Sequence, residues 1–285
     1  MTASKDELRY AAQVAIPVVQ IIYDRYTFGH SETIAPNVQP VADIRVDDQA
    51  LSELKESLDA GSEKLMKAMF DQPAADKTLL GTIDFDPTTA TGFVAFRGTE
   101  NGTEWIDDFT PVPVPFTGLG GVAPIVHLGF LHLWQLARNS VTQGLAQLPA
   151  VDRLLVTGHS LGAAVASLCA LELGVEKPAQ HVACWTFASP RVYFVSAKRF
   201  NETIFSSIRV HNPADIVTNV PTIPFIHVTG GVAIRAKFKD FHSLMKTYQP
   251  GLEALIGAVA ADVLPTEKSE DEMLEDAKLG LLPPV

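Results

Sequence analysis

The chain reads as an α/β fold, a mainly parallel sheet with helices on both faces. Three observations carry this expectation. Strand-length apolar runs alternate with longer helical stretches from residue 79 onward, and no linker or internal repeat divides them. The stretch "LLVTGHSLGAAVASLCAL" (154–171) passes from a buried strand into an alanine-rich helix. Gly158, His159, Ser160, Leu161 and Gly162 are packed into the joint between them.

Taken in order, residues 4–25 predict a helix with a kink or break at Pro17, and residues 50–70 a second amphipathic helix. The runs "LLGTIDF" (79–85) and "GFVAFRGT" (92–99) are strand-like, and "DPTTAT" between them suits a hairpin. Residues 129–147 predict a helix, 151–157 a strand, 160–174 a helix, 181–188 and 206–211 strands, and 224–236 a hairpin around Gly230 and Gly231. Between the second strand and the helix at 129, residues 100–124 hold four glycines and four prolines, yet also Trp105, Ile106, Phe109 and Phe116. A loop of that composition is long and apolar-decorated. One domain over 1–265 is the economical division, followed by an acidic, flexible tail at 266–285.

The chain has 285 residues, 47% hydrophobic and 19% charged, ample for one large core. Its formal net charge of -11 argues against phosphate-backbone partners, so no nucleic acid is expected, and a neutral substrate fits better. Cys169 and Cys184 read as small buried hydrophobes. The apolar run at 11–23 lacks a basic flank and a small-residue cleavage site, and the run at 154–175 is interrupted by glycines, His159, Ser160 and Glu172. A soluble protein with no recognisable signal peptide and no transmembrane segment is expected, either cytoplasmic or a mature, exported form.

The joint at 158–162 is a G-x-S-x-G segment between strand and helix. Its turn is tight enough that the residues flanking the serine must lack side chains, and the serine oxygen is lifted above the sheet at a helix N-terminus. Ser160 is therefore the candidate nucleophile, and the Leu161 amide, with the helix dipole, suits a developing oxyanion. A serine hydroxyl needs a histidine to take its proton and a carboxylate to hold that imidazole, and folds with this elbow order them serine, acid, histidine. Glu172 and Glu176 belong to the following helix and Glu202 to a polar loop. Asp215, just past a strand's carboxyl end in "SSIRVHNPADIVTNVP", is the acid; Asp240 is read as surface-solvated. His242 in "FKDFHSLMKTY" is free to reach back and is the base, whereas His227 in "FIHVTGG" reads as a sheet histidine.

These residues resemble the class 3 lipases, the fungal-lipase-like branch with the α/β-hydrolase fold, over roughly residues 75–250. The segments that carry the likeness are "GFVAFRGT", "EWIDDF", "VHLGFL", "VTGHSLGAAVASL", "TFASPRV", "RVHNPADIVTNVP", "HVTGGVAI" and "DFHSLMKTY". The resemblance implies a Ser160–Asp215–His242 triad and an oxyanion hole from Thr99 and Leu161. It also implies a lid at about 102–115, with Trp105, Ile106, Phe109 and Phe116 as lid or substrate-binding residues. Ala163 stands where many members have glycine, and the chain lacks their export signal and disulfides. The implied activity is ester hydrolysis, first of triacylglycerols at a lipid–water interface, without metal or organic cofactor. Rivals are a phospholipase A1, a monoacylglycerol lipase, a feruloyl-type or other carboxylesterase, and a catalytically silent binding protein of the same fold.

Overall fold

Seven strands form the central sheet of the computed structural model, which describes residues 2–55, 58–99, 105–106, 111–121, 123–176, 181–194, 206–227, 230–258 and 263–265. They are β1 (Gln39–Arg45), β2 (Leu79–Asp86), β3 (Thr91–Phe96), β4 (Arg153–His159), β5 (His181–Phe187), β6 (Ser206–His211) and β7 (Gly231–Ala233). The spatial order is β7-β6-β5-β4-β3-β2-β1. Strands β3 to β7 run parallel, and β1 and β2 add antiparallel at one side.

Parallel strands covered on both faces alternate their side chains between two apolar layers. Phe93, Ala95, Leu155, Ala183, Trp185, Ile208 and Val210 belong to one buried cluster, together with Leu8, Val18, Val19 and Ile22 from the N-terminal helices. Their sequence neighbours Val94, Phe96, Leu154, Val156, Val182 and Cys184 belong to the other, under helices α5 (Leu128–Leu145) and α6 (Leu161–Glu176). Helix α6 is apolar almost all round, and its one buried acid, Glu172, accepts from Trp134 Nε1 at 2.7 Å and Arg138 Nε at 2.5 Å. That pairing takes Glu172 out of the chemistry, as its helical position suggests.

The kink or break expected at Pro17 does not interrupt the helix; a widened turn precedes it instead. Helix α1 (Lys5–Tyr10), opened by a Ser4–Glu7 capping box, continues through a π-helical turn at Ala11–Ala15 into α2 (Ile16–Phe28). Pro17 sits in the first turn of α2, just after the widened turn, where its missing N–H costs least. The single helix predicted at 50–70 is two, α3 (Asp48–Lys55) and α4 (Ala60–Phe70). The Asp59 carboxylate caps α4 by accepting from the Gly61 and Ser62 amides, and a helix begins where its N-cap is satisfied.

The hairpin expected at 224–236 is overturned. Phe225–Ile226 pairs antiparallel with Tyr193–Phe194 in a small four-stranded sheet that also holds Ile125–His127 and Pro113–Pro115, whereas β7 pairs parallel with β6. Two apolar runs flanking Gly230 and Gly231 look like a hairpin locally, but their partners lie far away in sequence. Strand β1 went unpredicted because Pro40 and alternating charges mask it, and an edge tolerates both. Cys169 and Cys184 are free thiols, buried, and burial pushes both upward, Cys184 to about 12. The tail at 266–285 lies outside the described residues. Among those described, no helix is long and apolar enough to cross a membrane.

Candidate active site

The carboxyl ends of β3, β4 and β6 all open on one edge of the sheet, the place where open α/β sheets gather ligands. From β4 the chain turns sharply into α6 through Ser160, whose φ of 58° lies in the left-handed region. A non-glycine residue pays for that conformation, and such strain at a strand-to-helix turn is the mark of a nucleophile elbow. Close approach explains the flanking residues. A Cβ on Gly158 would lie 2.4 Å from the Gly162 carbonyl oxygen, and one on Gly162 would lie 2.2 Å from the Arg97 carbonyl oxygen.

From β3 the chain continues as Arg97-Gly98-Thr99, packed against the elbow: a Cβ on Gly98 would stand 2.8 Å from Ser160 Cβ. Arg97, fully buried, holds this segment. Its guanidinium donates to the carbonyls of Leu79 (2.7 Å), Gly98 (2.8 Å) and Met69 (3.2 Å) and lies 3.4 Å over the Tyr26 ring. Thr99 follows directly on this segment and lines the cavity that also touches His242.

From β6 the chain enters a short 3-10 turn through Asp215, which is fully buried. Its Oδ1 accepts from the Val217 amide at 3.0 Å. Its Oδ2 accepts from His242 Nδ1 at 2.7 Å and from the Tyr248 hydroxyl at 2.7 Å. A carboxylate can only accept, so the hydrogen of neutral His242 sits on Nδ1 and Nε2 is left as an acceptor. Asn212 ties the histidine's segment to the end of β6. Its amide donates to the carbonyls of Lys237 (2.8 Å) and Phe241 (2.9 Å), and its own oxygen accepts from the Lys237 amide at 3.1 Å.

On these segments three polar atoms are buried without partners among the described residues: Ser160 Oγ, His242 Nε2 and Thr99 Oγ1. Such groups cost stability, and native folds rarely keep several at one place without use. The Ser160–His242 hydrogen bond itself is not made. In substrate-free sites such bonds are commonly long and tighten when substrate binds. A cavity of about 370 Å³ beside Thr99 and His242 is walled by α2 and by Ser243 and Leu244.

Of the other predicted residues, Trp105 is buried edge-on against Phe130, 6.4 Å between ring centroids, and Phe116 joins the same apolar cluster, with Ile106 partly buried against it. Phe109 lies outside the described residues. Asp240 stands on the surface side, 3.7 Å from Lys246, and His227 is buried with Nε2 donating to the Thr218 carbonyl at 2.8 Å, so neither joins the constellation.

Sequence reasoning missed the supports. His159 carries no role in the sequence reading, yet its Nε2 donates to the His242 carbonyl at 2.9 Å. Its Nδ1 must then accept, and the Tyr23 hydroxyl 2.9 Å away donates to it while accepting from the Gly98 amide at 2.8 Å. Burial, and then the neighbouring His242, holds His159 well below the usual imidazole range, so it stays neutral and keeps this tautomer. One relay therefore connects α2, the Gly98–Thr99 segment, the turn at Ser160 and His242.

The sequence pattern of the family described as Lipase (class 3) matches residues 93–225. Just under half of the chain therefore carries the class 3 lipase pattern. Over 155 residues the chain is 31% identical to a secreted mono- and diacylglycerol lipase A of Penicillium cyclopium, an alignment covering 52% of the chain and 50% of the relative. Over 171 residues it is 30% identical to a phospholipase A1-II 7 of Oryza sativa subsp. indica, covering 47% and 42%. The chain thus spans about half the length of the relatives it matches in sequence. The solved triacylglyceride lipase of Rhizomucor miehei superposes with a TM-score of 0.62 over 95% of this chain and 88% of that one, at 20% identity. The shared architecture is the α/β-hydrolase fold expected from the sequence.

Proposed function

We propose that the chain is a serine ester hydrolase acting on acylglycerols. The observation that carries this reading is the bond between His242 and Asp215 at 2.7 Å, with Ser160 Oγ, His242 Nε2 and Thr99 Oγ1 left buried and unpartnered among the described residues. Ser160 Oγ attacks the ester carbonyl carbon while His242 Nε2 takes its proton; the Asp215 carboxylate stabilises the resulting imidazolium. The amides of Thr99 and Leu161 hold the oxyanion. As the tetrahedral intermediate collapses, the bond to the alcohol oxygen breaks and Nε2 returns the proton to that oxygen. Water then attacks the acyl-serine, giving a proton to Nε2, and the acyl–Oγ bond breaks as that proton returns to Oγ, releasing the carboxylic acid.

The unit that does this is residues 1–265, with 102–115 as its lid. Ser160 has no exposed surface and Trp105 only 1%, which supports a cover that must move before an ester can enter. The secreted relative supports an exported enzyme.

The test is hydrolysis of tributyrin as its concentration passes through the solubility limit, with Ser160→Ala as control and an active-site phosphonate as label. A rate that jumps when droplets form, lost in the control, is expected. A smooth saturating curve would leave a soluble esterase, and no labelling at Ser160 would leave a silent fold.

A further inference from the structure

The cavity beside the triad carries a specificity assignment, resting on the ester-hydrolase reading above. Around a scissile ester there are two directions to fill, the acyl chain and the departing alcohol. The leaving oxygen must lie next to His242 Nε2, the atom that protonates it. The cavity touching His242 and Thr99 is walled on the α2 side by Gln20, Asp24, Thr27 and Phe28, and closed by Ser243 and Leu244. An acyl chain could pack on Phe28 and Leu244 but would leave the open acceptor side of Asp24 desolvated without a replacement bond. A polyol would keep it satisfied.

Asp24 sets the sign of that wall. Its Oδ1 accepts from Gln20 Nε2 at 2.7 Å, and its Oδ2 from the hydroxyls of Ser31 (2.6 Å) and Thr33 (2.8 Å). All three donors are neutral, and they occupy three of the roughly four lone-pair sites of a carboxylate, leaving acceptor capacity on Oδ1. Among the described residues no Lys or Arg lines the cavity. The cation next along the helix, Arg25, is turned to Asp43 at 2.8 Å.

We infer that Asp24 is a specificity-determining residue: it marks the alcohol side of the site, accepts hydrogen bonds from the free hydroxyls of a neutral glycerol leaving group, and turns away a leaving group that carries phosphate. A monoester phosphate brings a charge of about -1.5 to -2 at neutral pH. Against an uncompensated carboxylate at close range, that repulsion amounts to about tenfold in relative rate. Partial glycerides are then favoured over phosphate-bearing lipids with the same acyl chain.

The test compares kcat/KM for 1-octanoylglycerol and 1-octanoylglycerol 3-phosphate, which differ only in the phosphate. The wild type should prefer the neutral substrate. Asp24→Asn should shrink that preference about tenfold, whereas Asp24→Glu, which keeps the charge, should retain most of it. Raising ionic strength should narrow the wild type's preference more than that of Asp24→Asn, a comparison that survives even if the variant is partly destabilised. An unchanged ratio in Asp24→Asn, or a wild type that prefers the phosphate substrate, would overturn the assignment. Failure of the wild type to hydrolyse p-nitrophenyl butyrate would instead overturn the hydrolase reading beneath it.

Discussion

The Tyr248 hydroxyl donates to Oδ2 of Asp215 at 2.7 Å, the same oxygen that receives His242 Nδ1. Burial, and then the Asp215 charge, holds the phenol well above its usual range, so it is a permanent donor. Tyr248 also accepts from the Asn212 amide at 3.2 Å, which joins the acid's turn to the helical segment after the base. Tyr248→Phe should lose about 1–2 kcal/mol of stability, the worth of a hydrogen bond to a buried charge. It should also lower kcat about tenfold with KM little changed, because the loosened carboxylate orients His242 less well. Steady-state kinetics on a soluble ester with urea unfolding would check both, and unchanged kcat would show that the His242 bond alone positions the acid.

Ser160→Ala and His242→Ala should each fold and lose about 10³-fold or more in turnover, with nearly the same residual rate, since members of a triad act as a unit. His227→Ala should cost stability instead, as the bond to the Thr218 carbonyl is lost, with kcat reduced much less. A reversed ranking of the two histidines on p-nitrophenyl butyrate would reassign the base.

Trp105→Ala removes a buried ring packed against Phe130, within the proposed lid. Emulsified tributyrin hydrolysis should fall several-fold more than hydrolysis of dissolved p-nitrophenyl butyrate, because the cover then opens without the aid of an interface. Equal losses on both substrates would make Trp105 a packing residue only.

Stability should fall as pH drops below about 6.5. Burial holds His159 and His227 well below the usual imidazole range and His211 at about 4, while in the unfolded chain all three take up protons near 6.5. The unfolded state then binds more protons, so acid favours it. Asp84 works the other way. Burial lifts it to about 6, so between about pH 4 and 6 the folded state holds a proton that the unfolded state does not. Burial lowers His132 as well, and with these histidines against one carboxyl the net loss should be about 2–4 kcal/mol between pH 6.5 and 5. Urea midpoints at pH 5, 6.5 and 8 would measure it. Asp84→Asn should raise the midpoint at pH 8 and much less at pH 5, whereas a flat profile would sink the account.

The elbow was legible in the sequence because its constraint is local: a serine between two glycines at a strand-to-helix joint leaves few other uses. Asp215 and His242 were legible because chain order and strand ends narrow the choice. Tyr23 was not, since its partner His159 lies 136 positions away and nothing in the pattern of α2 distinguishes a tyrosine facing the site from one facing solvent. Tyr248 stood within a segment quoted for its histidine, yet its role depends on a π-helical turn, Leu244–Tyr248, that no apolar periodicity announces. The false hairpin at 224–236 has the same cause, because each of its two runs is paired by a strand more than twenty positions earlier.

The division of the apolar interior by the sheet has a consequence for engineering. Leu8 and Leu168, both fully buried, belong to clusters on opposite faces, separated by the strands themselves. Changes that repack one cluster share no neighbours with changes in the other, so their effects on stability should simply add. A laboratory lineage could therefore harden the layer beneath the N-terminal helices first and keep the gain as tolerance, while the layer around Trp105, Phe116 and Phe130 is varied for new acyl chains.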